Sequence, residues 1–136
     1  MDLVSAAANW TEVNVADGTN DWQAITSSVD RTKLAAIVYG GNIWTSSNSG
    51  ATWTKDTSVG AMRYWYGSTS SAHGTKLAAA VYGGNIWSSS NSGATWTKDT
   101  SVGVKKGWQG ITSLADGTKL AAAVYNGNIW TSNNTG

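Results

Sequence analysis

The sequence contains no cysteine, no proline and no phenylalanine, and it has a single histidine. Without cysteine there is no disulfide, no thiol nucleophile and no thiolate metal site, and nothing about redox compartment can be read from cysteine usage. Charge is scarce as well: acidic and basic side chains together make up 12% of the chain, with a formal balance of +1. So weak a field draws in neither nucleic acid nor an anionic membrane, and neither is expected as a partner. No apolar run approaches the roughly 18–20 residues of a membrane-spanning helix. The opening MDLVSAAANW lacks the charged start and apolar core of a secretory leader, and it names no compartment. Against these absences stand nine tryptophans and 16 glycines in 136 residues. Low charge with many small polar residues would suggest disorder, but each tryptophan can bury on the order of 150–250 Å². The chain is therefore expected to fold as one domain, residues 1–136, with tryptophan supplying most of its large core side chains.

The tryptophans recur at a fixed step. Trp10, Trp53 and Trp96 are 43 residues apart, as are Trp22, Trp65 and Trp108, and again Trp44, Trp87 and Trp130. Tyr39, Tyr82 and Tyr125 keep the same step. Within a repeat, turn signals separate four short segments rich in β-formers: WQAITSS, KLAAIVY, NIWTSS and TWTKDT in the first copy. Asp30-Arg31, His73-Gly74 and Asp116-Gly117 mark the first hairpin, and Gly40-Gly41, Gly83-Gly84 and Asn126-Gly127 the second. Asn48-Ser49-Gly50 and Asn91-Ser92-Gly93 mark the third. No segment carries a helical period. Four strands in about 43 residues is the content of one β-propeller blade, and the Ala-rich second strand suits blades that stack face to face. The expected fold is all-β, a β-propeller with three four-stranded blades in the chain.

The third turn carries a family resemblance. Ser46, Asn48, Gly50, Thr52 and Trp53 follow the S-x-D-x-G-x-T-W spacing of the Asp-box, and Ser89, Asn91, Gly93, Thr95 and Trp96 repeat it. Ser132, Asn134 and Gly136 begin a third copy, whose tryptophan corresponds by register to Trp10. The chain thus resembles sialidase-like propellers built from the BNR repeat, with asparagine where that family usually has aspartate. The motif has the logic of a turn: a short polar side chain caps nearby backbone, glycine takes positive φ, and the aromatic ring covers the bend. A structural role is expected for all of these residues. Copies this alike point to recent amplification or to a designed, symmetric propeller.

The resemblance implies catalysis only if a sialidase constellation is present, and it is not. That activity needs an arginine trio, a tyrosine nucleophile with a glutamate, and a further acid. This chain has two arginines, Arg31 and Arg63, expected on opposite faces of the ring, and one glutamate, Glu12. Asp30, Asp56, Asp99 and Asp116 recur at repeat positions in turns or strand ends, where capping is expected, and His73 replaces the first-turn aspartate of its neighbours. No phosphate loop, metal cluster or nucleophile–base arrangement is visible. The chain is read as non-enzymatic, with no cofactor and no metal.

Differences between copies concentrate in the links between blades and the starts of the first strands. Trp22, the run Arg63-Tyr64-Trp65-Tyr66, and Lys105, Lys106 and Trp108 lie there. Varied loops on a rigid scaffold are where function usually sits, and these residues could stack a sugar or grip an acid, making a carbohydrate-binding module one reading. The other reading places Trp22, Trp65 and Trp108 in the core between blades and leaves the link residues solvated.

Three blades cannot close a ring, and open blade faces are an aggregation hazard. The sequence therefore predicts a self-assembling scaffold, a six-bladed homodimer in preference to a nine-bladed trimer. The third repeat, residues 108–136, lacks an outer strand. By register that strand is residues 8–16, donated by the partner, with residues 1–7 a loosely held lead-in.

Overall fold

Wherever β-branched and aromatic residues alternate between the turn signals, the chain runs as a strand. β1 (Trp22–Ser27), β2 (Leu34–Gly41), β3 (Ile43–Ser46) and β4 (Thr54–Lys55) make a first antiparallel unit, each strand paired with the next. β5 (Arg63–Ser70), β6 (Leu77–Gly84), β7 (Ile86–Ser89) and β8 (Thr97–Lys98) make a second. β9 (Lys106–Ser113), β10 (Leu120–Val124) and β11 (Ile129–Ser132) form a third. This computed structural model describes residues 9–15 and 20–133. Among them there is no helix. The expectation that residues 1–7 form a lead-in, and the last residues of the third S-x-N-x-G turn (Asn134 and Gly136), lie outside the described residues.

Two features depart from the simple four-strand pattern. The outer strands β4 and β8 are two residues long, not the six suggested by TWTKDT. The chain leaves the ladder at Asp56, whose carboxylate accepts hydrogen bonds from the Ser58 amide (3.1 Å), the Ser58 hydroxyl (2.7 Å) and the Val59 amide (3.3 Å). A side chain that captures the next amides offers the backbone an alternative to pairing. The second departure is that β2 does not end at its turn. It runs on through Gly41 and pairs with β5 of the next unit, Tyr39 opposite Tyr64 and Gly41 opposite Arg63. β6 pairs with β9 in the same way. Successive units are thus stitched by main-chain hydrogen bonds as well as by packing. Each inner strand also carries a bulge at the same place, with Gln23, Tyr66 and Gln109 as the extra residues.

The core lies between units. Successive side chains of a strand point to opposite faces, so each unit has a leading face toward its predecessor and a trailing face toward its successor. Ala35, Ile37 and Ile43 on the trailing face of the first unit pack against Trp65, Leu77, Ala79, Val81, Trp87 and Trp96 on the leading face of the second. The next interface repeats this with Ala80, Ile86 and Val102 against Trp108, Ala122 and Val124. Trp65 is central to its interface. Its indole N–H donates to the Gly41 carbonyl at 3.2 Å across the seam, and its ring meets Trp87 edge-on with centroids 6.4 Å apart. Trp65 and Trp108 are 0% and 1% exposed, whereas the equivalent Trp22, with no unit on its leading side, is 40% exposed.

The same residue type therefore has two energetic weights. Trp65→Ala should lower unfolding stability by about 3–5 kcal/mol, the range for a large aromatic truncated in a packed interior. Trp22→Ala in the dissociated chain should cost less than half of that. Urea unfolding followed by tryptophan fluorescence measures both, and equal losses would refute the interface assignment.

Candidate functional site

The two S-x-N-x-G-x-T-W turns share a polar network, which in the first also takes in the tryptophan indole, whereas the Trp96 indole N–H is buried without a partner. Ser46 Oγ donates to Asn48 Oδ1 (2.9 Å) and accepts from the amides of Asn48 (3.3 Å) and Gly50 (2.9 Å). Asn48 Oδ1 also accepts from the Thr52 amide (3.0 Å), while its Nδ2 donates to Thr52 Oγ1 (2.8 Å). The indole of Trp53 donates to the Gly50 carbonyl at 3.0 Å. Gly50 sits at φ +87°, where a Cβ would also come within 3.2 Å of Leu34 Cδ1, so glycine is required. Ser89, Asn91, Gly93 and Thr95 repeat the network with nearly the same distances. Asparagine uses its amide as donor and its carbonyl as acceptor here, so every polar atom of the side chain is engaged within the turn. These bonds are the ones that hold the turn closed.

The link residues separate into two groups. Trp65 and Trp108 are sealed in the core and present no surface to a ligand, as in the alternative reading of these positions. Arg63 lies over the Trp87 ring at 4.7 Å and Lys106 over the Trp130 ring at 4.8 Å. Both cations are therefore engaged by aromatic faces of their own units. Lys105 is exposed, and Tyr64 and Tyr66 belong to a ladder that the sequence did not reveal. Tyr64 stacks on Tyr39 (5.0 Å), Tyr39 meets Tyr66 edge-on (6.4 Å), and Tyr66 lies beside Tyr82 (5.9 Å). The shared position of Tyr39 and Tyr82 in the repeat was visible; their meeting with Tyr64 and Tyr66 depends on the β2–β5 pairing.

Apolar surface is open at both ends of the stack. On the leading face of the first unit, an open cavity of about 500 Å³ is bordered by Trp22, Ile25, Ala36, Trp53 and by Val13 and Val15 of the amino-terminal segment. That segment, residues 9–15, forms no strand in the single chain, and Trp10 is fully exposed. On the trailing face of the third unit, Ile129 is 76% exposed, whereas its equivalent Ile43 is 1% exposed inside the first seam. A hollow of about 350 Å³ there is bordered by Thr112, Leu114, Lys119, Ala121 and Thr131. Among the described residues, no cluster of three or more His, Asp or Glu could hold a metal ion.

No protein-family model matches the chain, and no curated protein matches it. Solved structures do. A structure of YCF48 bound to a D1 peptide superposes with a TM-score of 0.74 at 12% identity, covering 91% of this chain and 39% of that one. YCF48 from Cyanidioschyzon merolae gives 0.75 at 16% identity, with 95% and 38% covered. The β-propeller domain of Cps50 (Swd1) from Myceliophteria thermophila gives 0.65 at 17%, with 86% and 38% covered. The chain has a β-propeller fold and spans about two fifths of the length of these structures.

The first-hairpin aspartates cap their turns, as the sequence suggested. Asp30 Oδ1 accepts from the Ser28 hydroxyl (2.7 Å), the Thr32 amide (3.0 Å) and the Thr32 hydroxyl (2.8 Å). These bonds, that from Ser28 foremost, lower its pKa from 3.8 to about 2. Asp116 is lowered in the same direction by Thr118. A depressed acid stabilises the fold above its unfolded pKa and loses that contribution as pH falls through the folded value. Asp30→Asn should therefore lower the melting temperature at neutral pH, and the gap to the parent should close between about pH 4 and 2. A gap independent of pH over that range would exclude this role.

Proposed function

We propose that this chain is a non-enzymatic propeller scaffold that completes its ring by self-association, the trailing face of blade three on one copy docking on the leading face of blade one on another. The observation that carries this reading is residue correspondence. Ala121, Ala123 and Ile129 are the register equivalents of Ala35, Ile37 and Ile43, which are buried against the next unit. Trp22, Ala36, Trp44 and Trp53 are likewise the equivalents of Trp65, Ala79, Trp87 and Trp96 on the receiving side. Each open face thus has the composition of one half of a seam the chain already makes. Two copies give six blades, within the range at which propellers close, and three give nine.

The same proposal includes strand exchange at the termini. Thr11 and Glu12 fall in the register of β4, so a partner's segment paired to β11 would place Glu12 opposite Trp130, as Lys55 stands opposite Trp44. Lys106 lies over that tryptophan ring, where a carboxylate would complement it. The near-identity of the repeats and their S-x-N-x-G-x-T-W turns favour a sialidase-like propeller amplified recently or designed.

A second reading, a carbohydrate-binding module, is favoured by the Tyr64–Tyr39–Tyr66–Tyr82 ladder, whose partly exposed rings offer stacking faces. A glycan array separates the two. A sugar-specific signal lost in Tyr64→Ala with the oligomer intact would support the module; silence with an intact oligomer favours the scaffold.

The docking is head-to-tail, which makes it testable with one substitution on each face. Trp22→Lys spoils only the leading face and Ile129→Lys only the trailing face. In light scattering after gel filtration, the parent should be a dimer and each variant a monomer. Mixing the two should restore a heterodimer through the one seam left intact. A dimer joined by one face against its own copy, leading on leading or trailing on trailing, would survive one of the substitutions, and a monomeric parent at micromolar concentration would end the proposal. Removal of residues 1–12 should also abolish the dimer, whereas removal of residues 1–6 should leave it.

A further inference from the structure

The first hairpin tips form a second set of contacts between units, on the rim away from the Gly-Gly turns. The Val29 amide donates to the Ala72 carbonyl (2.8 Å) and the Ala72 amide to the Ala115 carbonyl (2.6 Å), so the tips are linked in sequence. The tips are also tightly packed. Gly74 faces the first unit so closely that a Cβ there would lie 2.9 Å from Lys33 Cβ and 3.2 Å from Ser28 Cβ. Gly117 faces the second unit in the same way, with 2.9 Å to Lys76 Cβ and 3.0 Å to Ser71 Cβ. At both seams, then, a residue without a side chain meets a serine and the stem of a lysine. Ser28 and Ser71 are only 2% and 4% exposed as a result.

The register equivalents at the open ends break this pattern on both sides. In the first unit the glycine position holds Arg31, at φ 63°. In the third unit the serine position holds Leu114, which is 51% exposed, and the lysine is Lys119. The two departures sit on opposite ends of the chain, yet they would meet if blade three of one copy docked on blade one of another. Repeating the internal geometry would drive the Arg31 Cβ to within about 3 Å of the Lys119 and Leu114 Cβ atoms, closer than carbon atoms pack without displacement. It would also bring a guanidinium toward an ammonium.

Building on the self-association reading, we infer that Arg31 and Leu114 are a guard pair on the copy-to-copy seam, placed so that this seam is weaker than those inside the chain. A second copy can still dock, but only with the hairpin rim displaced, so assembly depends on concentration while the internal seams do not.

The double variant Arg31→Gly with Leu114→Ser tests this, because it restores the residues that the other units carry and is expected to fold. Its dimer dissociation constant, from sedimentation velocity over a dilution series, should fall by about tenfold or more. Arg31→Asn serves as control. It tolerates positive φ and removes the charge but keeps a Cβ, so the constant should stay within about threefold of the parent. If the parent dimerises and the double variant is no tighter, or if Arg31→Asn tightens it equally, the guard pair is refuted and self-association stands. If the parent is monomeric and the double variant dimerises, the guard pair is upheld and self-association of the parent is refuted. If neither associates at any concentration, both fail.

Discussion

The structure depends on one contact repeated: an inner-strand tryptophan seated on the small residues of the preceding unit's second and third strands. Trp65 fills the space over Ala35, Ile37 and Ile43 because two of those strands' inward positions carry nothing larger than isoleucine. The Ala-rich second strand is weak by β-propensity alone. It is tolerated because its neighbours on both sides bring the bulk, large ring against small side chain, which is how interdigitated layers reach interior density. No unit can bury its own tryptophan. A single four-stranded sheet here has two apolar faces and no core, so stability arises between units and propagates along the stack as in other repeat architectures.

The polar turns set the geometry that this packing needs. Asn48 and Asn91 close their turns with side-chain bonds that replace main-chain pairing, and Asp56 ends the outer strand by capturing the amides that follow it. The outer strands stay short for that reason, and the link reaches the next inner strand while Val59 still packs against the interface. The pairing of β2 with β5 then fixes the height of each unit relative to the last. Packing alone would leave such sliding cheap, since small side chains offer few ridges.

Much of this was legible in the residues. The 43-residue step of three tryptophan sets marked the units, and the Gly and Asn pairs marked the turns, because both signals are local and periodic. Three things were not. The two-residue outer strands depend on a side chain outcompeting a ladder, which composition does not reveal. The tyrosine ladder depends on register between units 25 residues apart in sequence, Tyr39 to Tyr64. The placement of Arg63 and Lys106, each over a tryptophan two strands away, depends on the strand order within a unit and not on their neighbours in sequence. Of the candidate ligand residues, the tryptophans proved ambiguous for a physical reason: the same spacing serves a stacking platform and a core, and only the presence of a preceding unit decides between them.

Near-identity of the units has a cost in specificity. When every trailing face fits every leading face, packing by itself does not determine how many units associate or where a ring closes; a head-to-tail interface can form rings or open filaments with equal local energy. Inside one chain the problem is solved by connectivity, since the next unit is held at a high effective concentration by a short link. Between chains that advantage vanishes, and a seam would form only at bulk concentration. A repeat protein of this kind therefore needs some asymmetry at its ends, and terminal units of solenoids and arrays commonly differ from internal ones for this reason. Under the inference drawn above, Arg31 and Leu114 would supply such an asymmetry at the hairpin rim, where the internal seams leave no room for an added Cβ at Gly74 or Gly117. The strand edges would supply the other: β11 has no outer neighbour among the described residues, and in the proposed assembly pairing there would join copies only in the register that a strand of the right length permits. In the assembly proposed above, steric exclusion at one rim and strand pairing at the outer edge would act on the same seam in opposite directions, so the balance between them, and not the apolar area of the faces alone, would decide whether copies stay apart or close into a ring.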